Sequence, residues 1–91
     1  MSFADLADWV GAIVVVDTHS SFVYIGRLER VGTDMLVVAE VDVHDTTEGR
    51  ATKELYAIEA KKHGVKVNRR EVRVAARVVL SVSRLDDVIT F

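Results

Sequence analysis

"VYIGRLERVGTDMLVV", residues 23–38, sets Gly26 inside a run of residues that favour strands. A glycine weakens a strand unless a bend, a bulge or a close backbone approach requires it. The missing Cβ permits both sharp curvature and near contact of packed backbone, which a small closed sheet needs. The stretch therefore predicts two strongly curved strands, with Gly26 as the bend point and Gly32 in the turn between them. On the first of these, Phe22, Tyr24, Gly26 and Leu28 fall on one face, and Val23, Ile25, Arg27 and Glu29 on the other. On the second, over 35–43, Met35, Val37, Ala39, Val41 and Val43 make a single apolar face, leaving Glu40, Asp42 and His44 on the wetter side.

Upstream, Ser2 is a helix cap, and Phe3, Leu6, Ala7 and Val10 follow the spacing of one apolar helical face that Gly11 stops. Residues 12–17 read as a first strand rich in β-branched side chains, and "THSS" as the turn after it. Downstream, "HDTTEGR" breaks the β pattern. A helix is expected over 51–63, with Ala51, Leu55 and Ile58 along one stripe and Gly64 as its C-cap. Val72, Val74, Ala76, Val78, Leu80 and Val82 then alternate with Glu71, Arg73, Ala75, Arg77, Val79, Ser81 and Ser83, which predicts one long half-buried strand. A turn over 84–87 and a short last strand over 88–91 complete the chain. The expected class is mainly β: one domain over 1–91, a small bent five-stranded barrel with an N-terminal helix and a helix inserted between strands 3 and 4.

Composition narrows the function. At 91 residues and 49% hydrophobic, the chain supports one core. It has no Cys, hence no disulfide, no thiolate nucleophile and no cysteine-based zinc site. The longest uncharged apolar stretch, residues 9–16, is far below the roughly 20 residues a spanning helix takes, so no membrane association is expected. Asp5 and Asp8 stand where an export signal carries basic residues, so the expected location is the cytoplasm. The net charge is only -2, but its distribution is uneven: 61–77 holds seven basic residues against one Glu, and the rest five against thirteen acidic. Lys61, Lys62, Lys66, Arg69 and Arg70 are the residues there best suited to attract phosphates; a solvated helix end and loop explains them equally well.

The order of elements resembles the Sm and Sm-like family, which includes the bacterial host-factor RNA chaperone. Gly26, Leu28 and Met35 stand at the family's Gly-x-Leu and later Met spacing. "VSRLDDVI" (82–89) is similar to the family's Arg-Gly turn between the last two strands, with Arg84 at the arginine position. The likeness covers 12–43 and 71–91, and the stretch between corresponds to the family's variable connection, enlarged by a helix. It implies an Sm-like, SH3-like barrel, rings of five to seven identical subunits, and single-stranded RNA as ligand, with Arg84, Met35 and Leu36 at the base-binding positions. A barrel with open outer strands exposes unpaired backbone at both edges. Pairing the fourth strand of one copy with the fifth of the next satisfies both, with Val74, Ala76, Val78, Val88 and Ile89 as the interface. The chain departs from the uridine-binding pattern at Leu36, where such members carry Asn, at Gly32 in place of Asp, and at Leu85 in place of the glycine after the arginine. An isobutyl group cannot make an amide's hydrogen bonds to a base edge, so the base pocket is expected to be altered or weakened. The alternative is a homo-oligomeric structural or interaction module without nucleic-acid binding. A more distant one is another SH3-like barrel serving as a peptide adaptor.

Catalytic chemistry finds little support. Asp42, His44 and Asp45 together make a metal site conceivable, but one histidine among carboxylates at a strand end reads better as a solvated rim. His19, His63 and the serines have no nucleophile or triad spacing, and the five glycines form no phosphate loop. Neither an enzyme nor a cofactor is expected.

Overall fold

The computed structural model describes residues 3–49 and 51–90. Five antiparallel strands, β1 (Ile13–Thr18), β2 (Phe22–Val31), β3 (Met35–Asp45), β4 (Arg69–Ala75) and β5 (Val79–Arg84), form one bent sheet in the order β4-β3-β2-β1-β5. A short 3-10 helix (Ala4–Trp9) precedes β1, and a helix, α1 (Lys53–His63), lies between β3 and β4. This is the mainly β architecture expected, left open between β4 and β5.

The bend centres on Gly26. A Cβ there would lie 2.9 Å from the Ala39 carbonyl oxygen and 3.0 Å from that of Glu40, so only glycine lets β3 approach so closely. Opposite it, β3 bulges: Ile25 pairs with Asp42, but Arg27 pairs with Ala39. Glu40 takes a left-handed backbone, φ 52°. The extra residue switches which side chains point inward. The single apolar face expected for 35–43 is therefore split. Leu36 and Val38 enter the inner core before the bulge and Val41 after it, while Val37 and Ala39 point outward.

Two apolar clusters result. Inside the curve, Val14, Val16, Leu28, Leu36, Val38, Val41, Val74 and Val79 pack together. Phe3 joins them, with Leu6 and Trp9 behind it. That i, i+3, i+6 stripe is the face of a 3-10 helix with three residues per turn, and it replaces the expected α-helical face, leaving Val10 exposed. The expected Ser2 cap lies outside the described residues. Outside the curve, Val15, Val23 and Ile25 pack beneath Ala57 and Ala60 of α1 and Leu85. α1 is capped as expected at Gly64, φ 90°, and by the Thr52 hydroxyl accepting from the Leu55 N–H at 3.1 Å. Its docked face is Tyr56, Ala57 and Ala60, not the expected Ala51-Leu55-Ile58 stripe, and Leu55 is exposed.

The long strand expected after residue 70 is broken by a 3-10 turn (Ala76–Val78). Its two halves belong to opposite edges of the sheet, one beside β3 and one beside β1, and no straight strand can serve both. The expected last strand over 88–91 is not formed in the described part, 88–90. A 3-10 turn (Leu85–Asp87) and Val88 tuck under α1 instead, where Lys61 Nζ donates to the Asp86 carbonyl at 2.8 Å and to that of Val88. Among the described residues no helix is long and apolar enough to cross a membrane.

Candidate nucleic-acid interface

Two tight turns meet at one end of the sheet. The β2–β3 turn is closed by the Gly32 N–H donating to the Met35 carbonyl at 2.8 Å. The β4–β5 turn is anchored to it by the Ala76 N–H donating to the Asp34 carbonyl, also at 2.8 Å, and to the β1–β2 turn by the His19 N–H donating to the Val78 carbonyl at 2.9 Å. Met35, half-buried, pairs directly with Ala75. Asp34 and Arg77 are exposed at this junction, and neither side chain makes a hydrogen bond or ion pair with other described residues. Leu36, next to Met35, is fully buried in the inner core, so its side chain is closed to a surface ligand.

The residues singled out from the sequence do not gather into one site. Arg69 pairs with Val41 at the far end of β4 from Ala75, a separation of about 20 Å along an extended strand. Lys62, Lys66 and Arg70 are exposed near that far end, and Arg69 donates to the Asn68 carbonyl at 2.9 Å. Lys61 is occupied as the clamp on the segment after β5. Arg84 is the last residue of β5, not part of the turn between the last two strands: it pairs with Val14, and the turn that joins β4 to β5 carries Arg77. Arg84 donates to the two Asp87 carboxylate oxygens at 2.9 and 3.2 Å, and its guanidinium stands 5.5 Å from the Trp9 ring centre. The bond to Asp87 and its charge hold the Arg84 guanidinium above its ordinary pKa. Of the five interface candidates, Val74 is buried in the inner core. Ala76 and Val78 pack against it and Val88 lies under α1, leaving Ile89, 70% exposed, as the open one. The outer edges of β4 and β5 have no partner strand among the described residues.

Arg77 is the junction residue that sequence reasoning passed over. "VAARVV" continues the alternation of its neighbours, so neither glycine nor proline marks the turn. The metal reading of Asp42, His44 and Asp45 finds no geometry: among the described residues no three His, Asp or Glu side chains come together as ligands. The His44 ring instead stacks on Tyr56, with ring centres 3.8 Å apart.

No family model matches the sequence, and no curated protein does. Solved structures do match the fold. An Sm protein of Pyrococcus abyssii in complex with a uridine heptamer superposes with a TM-score of 0.62 at 15% identity, covering 92% of this chain and 97% of that one. A chain of the NatC complex bound to CoA gives a TM-score of 0.57 at 18% identity, over 90% and 86%. A chain of the NatC complex bound to Gag peptide and CoA gives 0.57 at 18%, over 85% and 86%. Bent five-stranded sheet, leading helix and helix after β3 together give this chain the Sm-like fold.

Proposed function

We propose that this chain is one Sm-like domain that assembles into a ring of five to seven copies in the cytoplasm and binds single-stranded RNA through an altered base site. The observation that carries the reading is the junction of the two turns, which brings the exposed Arg77 and the half-buried Met35 onto adjoining turns of the backbone. Arginine pairs with phosphate and stacks on bases, and a thioether adds soft apolar contact. The Sm protein solved with a uridine heptamer supports RNA as the ligand class. Leu36, buried where uridine-binding members carry Asn, supplies no amide to read a base edge, so discrimination among bases is weak. Ring closure adds β4 of one copy to β5 of the next through backbone hydrogen bonds. Lys62, Lys66 and Arg70, about a strand length away, serve as a second, salt-sensitive phosphate contact. Arg84 organises the segment after β5 through Asp87 and Trp9.

Fluorescence anisotropy with oligo-U and oligo-A, paired with native mass spectrometry, tests this. The expected result is a multimer that binds both oligomers within a few-fold of each other and loses about tenfold in affinity in Arg77→Ala, with little change in Arg84→Ala. A monomer, no binding at low salt, or unchanged binding in Arg77→Ala overturns the reading. The second reading, an oligomeric interaction module without nucleic acid, is favoured by the NatC chains, which have this fold within a protein complex. It predicts a multimer that ignores both oligomers.

A further inference from the structure

Between the last turns of α1 and the outer face of β3 lies a small cavity of about 100 Å³, lined by Asp42, Tyr56, Glu59, Ala60, His63, Gly64 and Lys66. Asp42 forms its floor and is 4% exposed. Its carboxyl group accepts from the Tyr56 hydroxyl at 2.5 Å and from Asn68 Nδ2 at 3.3 Å, both neutral donors. Burial, and then the bond to Asp42, push the Tyr56 phenol well above its ordinary pKa, so it stays a donor. No basic side chain among the described residues pairs with Asp42. A buried carboxylate is stable when its charge is met. A carboxylate offers about four acceptor positions, and the two donors leave acceptor capacity beside the open cavity. Glu59 adds a second carboxylate at the wall, 3.5 Å from His63 Nε2. The C-terminal end of α1, with its partial negative charge, faces the same space. Against these stands Lys66 at the mouth, which makes no ion pair among the described residues.

We propose that this cavity is a binding site for a small cation, the guanidinium or ammonium tip of an arginine-like or lysine-like ligand, seated on Asp42 with Glu59 as its second anchor. Size agrees with the class: about 100 Å³ accommodates a group of a few heavy atoms. The site belongs to the inserted helix and stands apart from the turn junction, so it does not depend on the Arg77 base site; only Lys66, at its mouth, is shared with the second phosphate contact.

Amide chemical-shift titration of the full chain tests it, with methylguanidinium and methylammonium as probes and N-methylurea as the neutral control. Saturable shifts confined to residues near 42, 56–60 and 64–68 are expected with the cations and none with the urea. Glu59→Gln, an exposed change that spares the fold, is expected to weaken binding several-fold. Lys66→Glu, an exposed change at the mouth, replaces a competing positive charge and is expected to tighten binding several-fold, whereas Asp42→Asn is expected to abolish it if that variant folds. A short blocked peptide containing arginine separates the sources: binding tighter than methylguanidinium assigns the ligand to a partner protein's side chain, and equal binding assigns it to a free small cation. Absence of saturable shifts, equal response to the urea, or unchanged affinity in both Glu59→Gln and Lys66→Glu overturns the proposal.

Discussion

The two faces of β1 and β2 are closed by different chemistry. Inside the curve, Val14, Val16 and Leu28 meet branched side chains from every other strand. Outside it, Val15, Val23 and Ile25 meet two alanines and the half-buried Tyr56 of α1, with Leu85, Val65 and Val88 beside them. Small residues let the helix come close but supply little apolar area of their own. Its position is fixed by polar pegs instead. Lys53 Nζ donates to Asp17 at 2.6 Å and to the carbonyls of Thr18 and Ser20 at 2.9 and 2.6 Å, Tyr56 reaches Asp42, and Lys61 holds the Asp86 carbonyl. The sheet is thus held by shape and volume, and the inserted helix by a few directed bonds.

That contrast can be broken most strongly from within. Leu36→Ala empties a fully buried position of the inner core and is expected to lower the unfolding free energy by about 2–5 kcal/mol. The expected trace in urea is an earlier midpoint with an unchanged slope; a loss below about 1 kcal/mol would show that the inner face does not carry the fold. Tyr56→Phe, an intermediate perturbation, takes a donor from the buried Asp42 and is expected to cost about 1–3 kcal/mol. Its signature is local: hydrogen exchange speeds up in α1 while β1 to β3 keep their protection, and a uniform loss would erase the distinction between the faces. Lys53→Ala is the mildest. The pair with Asp17 is roughly 30% exposed on each side, so about 1 kcal/mol or less is expected, seen as faster exchange in the first turn of α1 and little change in melting temperature.

Features with a local chemical signature were legible in the sequence. Gly26 announced the bend because glycine is costly in a strand that has no need of it. Gly64 and the Ala, Leu, Glu and Lys content before it marked α1, although the Thr52 cap went unread, and the β-branched run over 12–17 marked β1. What escaped lacked such a mark. The bulge at Glu40 requires a left-handed backbone in a residue type with no preference for one. The break at Ala76–Val78 is imposed by topology, because the segment must leave one edge of the sheet and join the other, while its side chains keep alternating. The count of five strands was right, but one expected strand supplied two and the expected fifth became a tuck under α1. The arginine of the last turn was misplaced for the same reason: locating that turn around residue 84 drew attention to Arg84 and away from Arg77, which the turn joining β4 to β5 carries. The docked face of α1 was hidden because alanine contributes little to a hydrophobic stripe, so the larger Leu55 attracted the assignment.

The bulge at Glu40 also guards the frame of the hairpin. If β3 slid by one residue to iron it out, every side chain beyond position 40 would turn over, drawing Asp42 and His44 into the apolar interior and pushing Val41 and Val43 onto the face beneath α1. Arg27 spans the irregularity by gripping Glu29 on its own strand and Glu40 across at 2.5 Å. An ion pair on the surface that adds little to overall stability therefore acts as a ratchet pawl, keeping two sliding ribbons from settling into the wrong notch.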